Sequence, residues 1–144
     1  MIPRERIPGG PGVRGTIRDM ITGIDHVQLC CPQGGEELAR AFWGGVVGLV
    51  EVPKPTELAG RGGCWFRLGP DTGLHVGVLE PFTPQGKAHP ALRLADRASL
   101  NALVANIEDA GHVVEWAEVP VAEARCKLRD PFGNLVELLV GTTG

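Results

Sequence analysis

The sequence predicts an α+β fold of two β-α-β-β-β modules related by an internal pseudo-twofold. Three observations carry this. Each half opens on a strand-like run, continues with one helical period and closes on further strand-like runs. The same order begins again after a linker, Phe82 to Lys87, that holds Pro84 and Gly86, giving a repeat of roughly 60 residues. The repeat also carries chemistry. His26 and His75 lie 49 residues apart, and His89 and Glu137 lie 48 apart, at matching places in the two halves.

The chain has 144 residues, 43% hydrophobic and 22% charged, the balance of an ordinary globule. That length suits one domain with a real core, expected over 21–141, with module one at 21–80 and module two at 88–141. Residues 1–20 are rich in Pro, Gly and charge and lack the apolar region of a signal peptide. They are expected to form a flexible arm, and Met20 is a candidate start of translation. A net charge of −3 without a basic run gives no footprint for nucleic acid or a membrane surface. No segment has the length of a transmembrane helix. Cys30, Cys31, Cys64 and Cys126 show no C-x-x-C spacing and sit in or beside apolar runs, so they read as reduced packing residues of a cytoplasmic protein.

In chain order, Ile24 to Cys30 alternates as a strand, with His26 and Gln28 on one face and Val27 and Leu29 on the other. Glu36 to Val46 reads as a helix, with Leu38, Phe42 and Val46 in phase and two acidic residues in its first turn. Leu49 to Val52 is a short strand, and the stretch to Gly63 a loop. Cys64 to Leu68 and Leu74 to Leu79 are two more strands. In the second half, His89 to Leu94 is a strand, with Pro90 tolerable only near its beginning or at an edge. Ser99 to Ala110 is a helix with Leu100, Leu103, Val104 and Ile107 on one face and Gly111 past its end. His112 to Trp116, Ala124 to Leu128 and Leu135 to Val140 complete the module.

Asp130-Pro131-Phe132-Gly133-Asn134 is turn chemistry leading into the last strand. Glu137 is a charge inside that strand's apolar run, which costs free energy unless water, a salt bridge or a metal compensates it. If the modules fold alike, their first and last strands converge, and His26, His75, His89 and Glu137 become four metal-ligand candidates. Three imidazoles and a carboxylate suit Fe, Mn, Co, Ni or Zn. His112 breaks the pattern and reads as a surface residue. Arg93 is in phase with His89, which offers it to an anionic group or to a surface ion pair. Gln28 is in phase with His26, and Trp65 with Arg67, although the sequence does not say which face of its strand turns inward. Gly60-Arg61-Gly62-Gly63 lacks the strand-to-helix context of a phosphate loop.

Three stretches resemble the vicinal oxygen chelate superfamily: Gly23-Ile24-Asp25-His26-Val27-Gln28-Leu29, Phe42-Trp43-Gly44-Gly45-Val46-Val47-Gly48-Leu49, and Asp130 to Glu137. The superfamily includes glyoxalase I, methylmalonyl-CoA epimerase, extradiol dioxygenases, and fosfomycin and bleomycin resistance proteins. The resemblance spans residues 21–140 and implies two paired modules around a cup, often in a homodimer, with a divalent metal in the cup. It carries the ligand positions onto His26, His89 and Glu137. The remaining position, Glu in glyoxalase I and Gln in the epimerase, falls on His75. Trp43 stands where such proteins often carry Tyr.

Four protein ligands on an octahedral ion leave two open positions, whereas extradiol cleavage wants the three left by a facial triad. The expected activity is therefore Lewis-acid lyase, isomerase or epimerase chemistry on a small substrate held through vicinal oxygens. Glu137 would shuttle the proton, as the resemblance to glyoxalase I implies. The alternatives are an Fe(II) ring-cleaving dioxygenase in which His75 does not bind, and a metal-free drug- or metabolite-binding protein.

Overall fold

The computed structural model describes residues 20–119 and 121–144. All but the last residue of the expected N-terminal arm lies outside them. Module one contains β1 (His26–Cys31), α1 (Glu36–Ala39) running on into a π-helical segment (Arg40–Val46), β2 (Glu51–Val52), β3 (Cys64–Leu68) and β4 (Thr72–Val78). Module two contains β5 (Ala91–Leu94), α2 (Arg97–Asp109), β6 (Val114–Trp116), β7 (Ala124–Arg129) and β8 (Leu135–Val140). The strands form two four-stranded mixed sheets of the same design, ordered β1-β4-β3-β2 and β5-β8-β7-β6. In each, the first strand pairs parallel with the last, and the remaining pairs are antiparallel. The expected α+β fold of two β-α-β-β-β modules is the fold observed.

The departures are local. The first helix occupies the expected residues but widens after Ala39, where the Val47 amide reaches back to the Phe42 carbonyl at 2.9 Å. The wider turn lets the adjacent Phe42 and Trp43 both enter the core, at 2% and 1% exposure. The second helix starts ahead of Ser99 because Asp96 caps it, accepting a 2.7 Å hydrogen bond from the Ser99 amide. Thr56–Arg61, expected as loop, forms a 3-10 segment. His89 precedes its strand rather than opening it. Pro90 has no N–H to donate, so the ladder begins at Ala91, although the Pro90 carbonyl still accepts from the Glu137 amide at 3.0 Å.

Strand alternation divides each sheet into an apolar face and a polar one. Cys31, Cys64, Phe66, Leu74 and Val76 pack against Ala39, Phe42 and Trp43. Cys126, Leu128, Val136, Leu138 and Val140 pack against Leu100, Val104 and Ile107. Each large side chain buried this way contributes about 2 kcal/mol. Burial pushes the Cys64 and Cys126 thiols up to about 11, which keeps them protonated and suits packing rather than chemistry. Among the described residues no helix is long and apolar enough to cross a membrane.

Among the described residues, the contacts that tie the modules together include two with polar or aromatic partners. His112, expected at the surface, is half-buried with its ring edge-on to Phe42 at 4.8 Å. The second contact comes from the turn before β8. Asp130 is 4% exposed, and its Oδ1 accepts from the amides of Phe132 (3.0 Å) and Asn134 (2.8 Å). Gly133 supplies the φ of +90° that the turn needs. The Asn134 side-chain amide donates to Asp130 Oδ2 and also to the Cys30 carbonyl on β1, each at 2.8 Å. Phe132 lies against Gly35, where a Cβ would stand 3.0 Å from its ring.

Replacing Asn134 with Ala removes the inter-module bond and leaves Asp130 Oδ2 underpartnered. The expected loss is about 2 kcal/mol, read as a lower urea midpoint at unchanged slope. A midpoint equal to wild type would show that this turn does not hold the modules together.

Candidate metal and substrate site

The polar face of the first sheet carries a column of three rings. His75 is only 9% exposed. The His26 ring stacks on one side of it at 4.2 Å between centroids, and Trp65 stacks on the other at 3.9 Å with parallel planes. The ladder explains this. Trp65 and Gln28 are the direct neighbours of His75 on its two flanking strands, and His26 sits one pleat further along β1. Glycines at 73 and 77 clear the space on either side. A Cβ at Gly73 would meet His75 Nε2 at 3.1 Å, and one at Gly77 would collide with the Gln28 amide, which lies across it. Burial lowers the His75 pKa, and the neighbouring His26 ring lowers it further, partly offset by Asp25.

The polar face of the second sheet carries charge instead. Glu137, with its side chain 17% exposed, places Oε1 3.4 Å from His89 Nε2 and Oε2 3.8 Å from Arg125 Nη1. Lys127 is its direct neighbour on β7 and reaches Glu115 at 3.6 Å. Arg93 shares the face but donates through Nε to the Gly141 carbonyl at 2.7 Å.

The two faces obey one register. His26 lies two residues before Gln28, the partner of His75; His89 lies two residues before Ala91, the partner of Glu137. The four predicted residues are thus brought together as two equivalent pairs, His26 with His75 and His89 with Glu137. Among the described residues no three His, Cys, Asp or Glu side chains come close enough to share an ion. Within one chain the four residues therefore stand as two separate pairs. Sequence reasoning missed the Trp65 stack, although Trp65 and Arg67 share a strand phase. It also passed over Arg125, Lys127 and Arg129, whose alternation with buried Ala124, Cys126 and Leu128 was the available signal.

No family model and no curated protein matches the chain. Solved structures do. A glyoxalase family protein from Bacillus anthracis superposes with a TM-score of 0.78 at 39% identity, spanning 85% of this chain and 97% of that one. The chain belongs to the glyoxalase family. Two further structures share the fold at a TM-score of 0.65 and 22% identity, each covering 85% of this chain. They are a lactoylglutathione lyase from Agrobacterium tumefaciens, covered over 96% of its length, and an antibiotic binding protein from Streptomyces sp. CB03234, covered over 98%. The likeness to the vicinal oxygen chelate superfamily read from three short stretches is thereby borne out.

In this glyoxalase family chain the two pairs carry nitrogen and oxygen donors of the kind an ion takes. His89 Nδ1 lies 2.6 Å from the Lys87 carbonyl, which only accepts, so Nδ1 carries a proton and Nε2 is the nitrogen turned toward Glu137. His26 Nδ1 lies 2.8 Å from the Asp25 carboxylate, an outer partner of the kind that orients a ligating imidazole and leaves Nε2 free. Imidazole nitrogens and a carboxylate fit a divalent transition ion.

The buried, depressed His75 makes stability pH-dependent in a defined direction. Its folded pKa lies below its ordinary 6.5, so protonation opposes folding. The stabilisation is complete above about pH 6.5 and declines as pH falls below it. In chelator-treated protein, the His75 ring protons should titrate below 6.5 by NMR, and His75→Gln should flatten the acid side of the stability profile. A His75 titration at or above that value would contradict the stack.

Proposed function

We propose that this protein is a metal-dependent lyase, isomerase or epimerase acting on a small substrate held through two vicinal oxygens, and that it works as a homodimer. The observation that carries the reading is the His89–Glu137 pair. His89 Nε2 faces a carboxylate oxygen at 3.4 Å while Nδ1 is committed to the Lys87 carbonyl, an arrangement satisfied by a proton or a cation between Nε2 and Glu137. In the proposed dimer His26 and His75 of one protomer meet His89 and Glu137 of its partner, so each half-site is completed by the other. A divalent ion held by these four residues would supply Lewis acidity to the substrate's oxygens. Glu137 is the group that takes the substrate's proton and returns it. Its carboxylate is held between His89 and Arg125, within reach of the same space. Gln28, lying over Gly77 beside His75, offers a neutral amide to orient the substrate. Membership of the glyoxalase family supports the reading; the substrate and the metal are part of the proposal.

A second reading, metal-free binding of a drug or metabolite, is favoured by Arg125, whose guanidinium 3.8 Å from Glu137 compensates that carboxylate without an ion. A third, an Fe(II) dioxygenase using only His26, His89 and Glu137, is favoured by the clamping of His75 between two rings.

Elemental analysis of freshly purified protein separates the metal-dependent readings from the metal-free one. Wild type should carry close to one divalent ion per chain, and Glu137→Gln and His89→Ala should lose most of it. Mixing settles the dimer. A His26→Ala/His75→Ala chain and a His89→Ala/Glu137→Gln chain should each be metal-free, yet recover up to one site per dimer after co-refolding. No recovery would place the site within one chain, and equal metal content in all variants would leave the binding-protein reading.

A further inference from the structure

The Glu137 face of the second sheet also bears more positive charge than its own carboxylates use. A cavity of about 650 Å³ opens on this face, within the range of small-molecule sites. His89, Glu137, Lys87, Lys127 and Arg129 all line it, and Arg129 lies two residues along β7 from the partner of Glu137. Lys127 and Arg129 are successive same-face residues of β7, and their backbone partners are Glu137 and Leu135.

The acidic groups at the cavity are Glu115, Asp130 and Glu137. Asp130 is spent within its own turn, where three hydrogen bonds occupy its oxygens. Glu137 faces His89 and Arg125. Glu115 takes Lys127 at 3.6 Å. Among the described residues, Lys87 and Arg129 then have no carboxylate within ion-pair distance. Arg129 is nonetheless held in place, since its Nη1 donates to the Gly133 carbonyl at 2.9 Å. That leaves Nε and Nη2 in a fixed plane, the geometry that binds an oxyanion through two parallel hydrogen bonds.

We infer that Lys87 and Arg129 form a subsite for an oxyanion carried by the substrate, so that the substrate is an anion whose charged end lies beyond its reacting end. The charged end is a carboxylate or a phosphate-type group; both match a guanidinium and an ammonium. This deepens the catalytic reading above and depends on it only for which end of the substrate faces Glu137.

The test is calorimetric titration with glycolate, malate and phosphoglycolate, before and after loading the protein with Ni²⁺. Malate or phosphoglycolate should bind at least tenfold more tightly than glycolate, and the preference should shrink as salt rises. Whichever binds more tightly identifies the carboxylate or the phosphate type. Lys87→Gln and Arg129→Gln, both exposed positions, should each reduce the preference at least fivefold, while Arg61→Gln on the first module should not. If the preference survives without Ni²⁺ uptake, the subsite stands and the metal reading falls. If Ni²⁺ tightens all three ligands equally, with no preference among them, the subsite falls and the metal reading stands. A preference that persists in both variants also overturns the subsite.

Discussion

The site depends on the return of each module's last strand alongside its first, in parallel. Parallel neighbours cannot be joined by a hairpin, so a long crossover must intervene. Here the crossover holds a helix and two strands, which is why side chains that end as neighbours are separated by 49 or 48 residues. Side chains alternate along a strand, so a register slip of one residue would turn His75 or Glu137 under the helix. Their neighbours prevent that. Leu74, Val76, Val136 and Leu138 are each at most 2% exposed, and exchanging faces would bring all four into water. Aliphatic burial thus aims two polar groups that contribute little to the core themselves.

On this common scaffold the two modules have diverged at the equivalent lateral position. Trp65 stands beside His75, and Lys127 stands beside Glu137. Trp65 covers one face of the His75 ring, and that burial is what lowers the His75 pKa. Lys127 instead brings a positive charge to the strand beside Glu137, although its own partner is Glu115. The Asp130–Asn134 turn links the two halves. It starts β8, and through the Cys30 carbonyl it fixes that start against β1, so the strand bearing Glu137 is referenced to the strand bearing His26.

Fold and site were legible in the sequence to different degrees. Strand phase, the helix periods and the Asp-Pro-Phe-Gly-Asn turn are local signals, and they placed every strand and both helices to within a few residues. The Asp96 cap and the Pro90 effect on β5 moved boundaries only. The equal spacing of His26–His75 and His89–Glu137 reported a long-range pairing because a repeat converts distance along the chain into position on a ladder. What the sequence could not show was which face of β3 turns toward the site, since Trp65 and Phe66 are both aromatic and either could have been the core residue. It also could not show that His112 reaches Phe42, a contact between modules with no periodic signature. Nor could it show that the four candidate ligands divide into two pairs within a chain, because strand register fixes neighbours inside a sheet and says nothing of the gap between sheets.

The ring column has one more consequence. Of the three tryptophans, Trp43 is sealed in the core and Trp116 lies under the Arg97 guanidinium at 4.9 Å. Trp65 alone lies face to face with an imidazole. A charge arriving on that imidazole, whether proton or metal, acts directly on the excited indole beside it. The Trp65 contribution to the protein's emission therefore reports on any charge that reaches the His75 ring, without any added dye.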